Sequence, residues 1–156
     1  MALGAALRPC QPGYAPAVGS DDAMPPTLGL RHLALFVPDA TFEATVRFYV
    51  EGMGMGVDWK PDPDNVYLSS GSDNLAIHRA QRAVDLATSP LDHLGFLVPA
   101  PADVDAWHAR LEGRAEALGH ELLNPPKQHR DDSRSFYLRD PAGHQVQIIH
   151  IPSAKV

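Results

Sequence analysis

From residue 28 onward the chain alternates short apolar runs with breaks rich in glycine, proline and polar residues, and the same order of breaks occurs twice. Leu30–Val37 reads as a strand, halted by Pro38-Asp39. Residues 40–51 put Phe42, Val46, Tyr49 and Val50 on one helical stripe, with Asp39 or Thr41 able to cap the start and Gly52 closing the end. Gly52–Gly56 is a turn and Val57–Lys60 a short strand; Val66–Ser69 and Leu75–Arg79 form a hairpin around Ser70-Gly71-Ser72-Asp73. After residues 81–90 the order repeats. Leu91–Val98 is a strand, Asp103–Leu118 a helix and Glu121–Leu123 a strand; residues 125–132 are a polar loop, and Ser133–Arg139 with Gln145–Ile151 make a last hairpin. The pattern is strand, helix and three strands, twice over.

The repeat is visible residue by residue. L-R-H-L-A-L-F-V-P at 30–38 answers L-D-H-L-G-F-L-V-P at 91–99, with the histidines 61 positions apart (93 − 32). Successive strand residues point to opposite faces. Leu33, Leu35 and Val37 therefore share one face, and Leu94, Phe96 and Val98 its counterpart; these faces are expected to meet the helices. His32 with Ala34, and His93 with Gly95, lie on the other side. By the same alternation Ala76 and His78 face away from the first helix, and Gln145, Gln147 and Ile149 away from the second. Ala34, Gly95 and Ala76 each lie two positions from a histidine on its own face, leaving room beside it. A tightly curved sheet would favour small residues there too.

Composition narrows the setting. The 156 residues are enough for one domain, and 44% hydrophobic with 21% charged residues is ordinary for a globular chain. A formal net charge of −6 without a basic run argues against nucleic acid or an anionic membrane as the main partner. Cys10 is the single cysteine, so no intrachain disulfide and no cysteine metal motif is expected. No apolar run approaches the roughly 18 residues that would span a bilayer, and the first residues are too poor in basic side chains for a signal peptide; a cytoplasmic location is expected. Residues 1–27, interrupted by five prolines, read as a disordered arm, within which Met24 is an alternative start.

The doubled L-x-H-L-x-x-x-V-P, with Phe136-Tyr137-Leu138-Arg139-Asp140-Pro141-Ala142-Gly143-His144 before the last strand, resembles the vicinal oxygen chelate superfamily. That superfamily includes glyoxalase I, bleomycin resistance proteins and extradiol dioxygenases. The resemblance implies an α+β fold of two tandem βαβββ modules forming a cupped mixed sheet. The domain would run over residues 28–153, with module one at 28–80, a linker at 81–90 and module two at 91–153. It further implies a divalent metal held by the first and last strands of each module. Carried over, those positions are His32, His78, His93 and Gln147, the last where the family usually has Glu. Imidazole-rich ligation suits iron, zinc or nickel. An all-neutral ligand set would leave the ion its full charge and favour an anionic substrate with two adjacent oxygens.

Without a metal-shell carboxylate, a proton carrier must come from elsewhere. His129, in a stretch loosely similar to the His-bearing segment of extradiol enzymes, is the candidate base, and Tyr137 a second proton-handling residue. His129 reads equally as a solvated loop residue, and Tyr137 and Tyr67 as half-buried strand tyrosines. Arg134 would attract an anion, or simply lie on the surface. His108, His120, His144 and His150 receive no role. Two functions fit: a metal-dependent enzyme of lyase, isomerase or dioxygenase type acting on a small molecule with vicinal oxygens, or a metal-free protein that sequesters a small molecule. A homodimer is expected from the resemblance alone.

Overall fold

A computed structural model describes residues 30–152, with α+β architecture in two mixed sheets. The expected arm over residues 1–27, with Cys10 and Met24, lies outside the described residues, as do residues 153–156. Module one holds β1 (His32–Val37), α1 (Phe42–Arg47), β2 (Gly56–Asp62), β3 (Asn65–Ser69) and β4 (Asn74–Arg79), with strand order β1-β4-β3-β2. Module two holds β5 (Leu94–Leu97), α2 (Pro101–Glu112), α3 (Ala115–Leu118), β6 (Glu121–Leu122), β7 (Lys127–Gln128), β8 (Arg134–Arg139) and β9 (Gln145–His150). Its order is β5-β9-β8-β6, with β7 also on β8. In both modules the first strand runs parallel to the last, which the intervening helix allows.

The alternation predicted from sequence decides the core. Leu35, Val37, Val66, Leu68, Leu75 and Ile77 of sheet one, and Phe136, Leu138, Val146 and Ile148 of sheet two, are buried toward the helices. The opposite, concave faces stay partly open. Phe36 is 63% exposed, Trp59 58% and Leu97 56%, all on those faces or their rims.

Several boundaries differ from the periodicity, each for a local reason. The first helix opens with a 3-10 turn at Asp39–Thr41 and ends in a widened π turn at Phe48–Gly52, whose carbonyls are drawn toward module two. The Gly52 carbonyl accepts from Arg110 Nε at 3.3 Å, and that of Glu51 from Arg114 Nη1 at 2.8 Å. The second helix is interrupted between Glu112 and Ala115, so one expected helix becomes α2 and α3. The loop at 125–132 contains β7, because His129 N–H donates to the Ser133 carbonyl (2.8 Å) and folds Lys127–Gln128 back onto β8. β2 runs on through Pro61, as an edge strand can.

The modules are joined through their helical sides. The Tyr49 hydroxyl, wholly buried, donates to Asp140 Oδ2 at 2.9 Å, and Arg47 Nη2 donates to the Ala117 carbonyl at 3.0 Å. A buried ring contact between Phe48 and His120, 5.2 Å between centroids, fills the same junction.

Candidate functional site

The register of the two sheets places the predicted site residues with some precision. In module two Gly95 of β5 pairs with Gln147 of β9, and Gln147 pairs in turn with Tyr137 of β8. These three stand in a row across the concave face. His93, two positions before Gly95, lies edge-on to the Tyr137 ring with centroids 5.5 Å apart. Ser135, two positions before Tyr137 on the same face, is only 2% exposed, and Gln147 only 7%. The Gln147 amide donates to Ser135 Oγ at 3.0 Å, and Ser135 Oγ lies 2.8 Å from His129 Nε2. Because Gln147 supplies the proton of the first bond, the Ser135 hydroxyl proton is available to the imidazole. An unbroken hydrogen-bonded run thus leads from the sheet centre to the loop histidine.

Four of the sequence candidates, His93, His129, Tyr137 and Gln147, therefore gather on one face, together with Ser135, which the sequence reading missed. Its signal was present: strand alternation puts it on the Tyr137 side of β8. A Cβ at Gly95 would meet only ordinary contacts, 3.9 Å from Ile149 Cγ2 and 4.0 Å from Gln147 Oε1, so the space beside Gln147 does not depend on a glycine here. Asn124 steadies the wall by accepting the Tyr137 N–H through Oδ1 at 2.7 Å.

Module one presents a different face. Tyr67 touches Trp59 (5.0 Å between ring centroids) and His78 (5.8 Å), and Phe36 lies 6.0 Å from His78. This is an aromatic wall with the His78 imidazole set into it. The register also shows where the duplication has diverged. Ala34 pairs with Ala76 as Gly95 pairs with Gln147, so Ala76 is the counterpart of Gln147. His78 pairs with Phe36, as Ile149 pairs with Leu97, and so lies two residues beyond the Ala76 position, at the next place on the same face.

His32 pairs with Asn74 and His78 with Phe36, so the two histidines are four residues apart along neighbouring strands, roughly 13 Å at about 3.3 Å per residue. The structure does not bring His32 and His78 together. Among the described residues no group of three or more His, Cys, Asp or Glu side chains is placed to hold a metal ion. The individual imidazoles have the chemistry of ligands: Nδ1 of His32 meets Asn74 Oδ1 (2.7 Å), that of His78 meets Asn65 Oδ1 (2.5 Å) and that of His93 meets Asp92 Oδ2 (2.5 Å). Each such partner fixes Nδ1 as the protonated nitrogen and leaves Nε2 as the free lone pair. Their placement within one chain does not fit a shared ion.

Arg134, the expected anion attractor, is committed to Asp105, with Nε and Nη2 on its two carboxylate oxygens. That pairing holds the Asp105 carboxyl below its ordinary range.

With fold and face defined, the family follows. The pattern of the Glyoxalase/Bleomycin resistance protein/Dioxygenase superfamily matches residues 29–148. The chain belongs to this superfamily. A glyoxalase-related enzyme from Fulvimarina pelagi superposes with a TM-score of 0.65 at 24% identity, over 81% of this chain and 90% of that one. Lactoylglutathione lyase from Agrobacterium tumefaciens gives 0.62 at 25% identity, over 81% and 96%. A superfamily member from Nocardioides gives 0.59 at 24% identity, over 85% and 89%. No protein of curated function matches the chain.

Proposed function

We propose that the chain is an enzyme that binds a small molecule bearing adjacent oxygens on the concave face of module two and moves a proton on it. The observation that carries this reading is the run Gln147–Ser135–His129 beside Tyr137 and His93. A buried serine hydroxyl directed at an imidazole is a path by which a base in a loop reaches a sheet interior. Gln147 Oε1 and the His93 Nε2 accept hydrogen bonds from the ligand, the Tyr137 hydroxyl donates, and His129 takes up the proton through Ser135. Among the described residues of one chain the ligands for a metal ion are not assembled, and the proton transfer runs through side chains alone.

A second reading, sequestration of an apolar molecule, is favoured by the exposed Trp59 against Tyr67 in module one. Titrating catechol and glycolate into untagged protein, while following the imidazole signals of His93 and His129 by NMR, separates the two. Saturable shifts of both histidines, weakened about tenfold in Ser135→Ala, support the enzyme reading. Unmoved histidines with a response confined to Trp59 fluorescence overturn it in favour of sequestration.

A further inference from the structure

The segment joining the modules folds against the turn between β8 and β9 and encloses a cavity of about 400 Å³. It lies apart from the run described above, and its floor is built with unusual care. Asp140 Oδ1 accepts the backbone N–H groups of Ala142, Gly143 and His144 at 3.0, 2.8 and 2.9 Å. Asp140 Oδ2 receives the Tyr49 hydroxyl and lies 3.1 Å from His144 Nδ1. The His144 side chain is 6% exposed and borders the cavity. With Nδ1 turned to the Asp140 carboxylate, Nε2 carries the lone pair, and the hydrogen bonds of this ring among the described residues are made through Nδ1. A buried imidazole with one nitrogen so firmly held and the other left for the cavity is the arrangement of a binding group.

The rest of the lining gives the ligand its chemistry. Arg139 and Asp92 contribute one charge of each sign, and Leu86, Leu91 and Ala142 an apolar patch. Each charged group is also in contact with a neighbour outside the cavity, Arg139 with Glu121 at 3.1 Å and Asp92 with His93 at 2.5 Å. Both stand at the exposed rim of the cavity, where each faces a partner and solvent. The volume is in the range of small-molecule sites. A lining with balanced opposite charges, a lone-pair acceptor and an apolar patch complements a zwitterion with a side chain.

We propose that this cavity is a second ligand site that takes a free α-amino acid, its carboxylate on Arg139, its ammonium between Asp92 and His144 Nε2, and its side chain on Leu86 and Leu91. The cavity shares none of the residues Gln147, Ser135 and His129, and it touches the proton-transfer site only through Asp92, which also holds His93 Nδ1; a response of the His144 ring therefore reads this site by itself. It also gives His144 a role that the chain's other contacts do not explain.

The test uses the full chain, ¹⁵N-labelled, with the His144 ring signals followed while L-leucine is added. N-acetyl-L-leucine, which lacks the ammonium, and L-leucinamide, which lacks the carboxylate, serve as controls. The expected result is a saturable shift of the His144 ring with L-leucine, weakened about tenfold or more for either control and in Arg139→Gln. Arg139 is half exposed, so this variant is expected to keep the dispersed amide spectrum of the folded chain. Leu91→Trp, which fills the cavity from its rim, should abolish the shift. A His144 ring that L-leucine leaves unmoved up to about 20 mM, well above ordinary millimolar binding, overturns the proposal. Equal response to the two controls, or an unchanged response in Arg139→Gln, overturns it as well.

Discussion

Tyr49 joins the two modules through a single hydroxyl, and its surroundings show what that bond is worth. Burial and the Asp140 charge push the phenol well above its ordinary value of 10.0, so it stays a donor at any physiological pH. Tyr49→Phe removes a bond to a buried, charged acceptor and should destabilise the fold by about 1.5–3 kcal/mol, read as a lower urea midpoint with an unchanged slope. His120 offers a second test. Burial lowers its imidazole below 6.5, while Nε2 lies 2.9 Å from the Leu111 carbonyl and Nδ1 has no partner. The unfolded chain gains a proton near 6.5 that the folded chain refuses until a lower pH. Stability is therefore full above that value and falls as pH drops through it. The urea midpoint should decline as the pH falls below about 6.5, and His120→Gln should flatten that decline. The Tyr49 and His120 environments were both invisible to periodicity, because nothing in a strand or helix pattern records which partner a side-chain atom meets or lacks.

At the scale of elements, the junction depends on close approach. A Cβ on Gly52 would lie 3.1 Å from Leu118 Cδ1 and 3.3 Å from Phe48 Cδ2. Gly52→Ala should cost about 1–3 kcal/mol by overpacking, measurable by thermal or urea unfolding, and Leu118→Ala in the same chain should recover part of it. The strands and their faces were legible in the sequence, since a period of two survives any tertiary context that buries one side. Leu35, Val37, Ile77, Val146 and Ile148 are buried as alternation required. The π turn at Phe48–Gly52 and the break at Gly113-Arg114 were not legible, because arginines from the other module shape the first and local caps the second. The candidate site was legible in part. Alternation brought His93, Tyr137 and Gln147 to one face, whereas His78 was matched by order along the strand, and only the β1–β4 register reveals that Ala76 occupies the equivalent place. Register between strands is a relation of two segments, which no single segment encodes.

For the whole molecule, the concave faces matter most. Phe36, Trp59 and Leu97 leave apolar surface open on both modules while the helical sides are spent on each other. A second copy is the occupant expected for that surface. Light scattering should give twice the chain's mass, and Trp59→Lys should return it to one; a single-chain mass for the unaltered protein would remove the expectation. Metal analysis of the same untagged sample checks the ligand geometry: below about a tenth of an equivalent agrees with imidazoles that do not converge, while stoichiometric metal would require a partner chain to complete the set.

The pairing of Ala34 with Ala76, against Gly95 with Gln147, has a consequence for how the protein can change. Two halves that began alike no longer bear the same burden. Replacements along Trp59 and Tyr67 should alter which molecules are admitted, seen mainly in KM, while replacements at Ser135 or His129 should slow turnover, seen in kcat. The half that carries Ala76 where its twin carries Gln147 is then free to drift toward new ligands while the other keeps the chemistry.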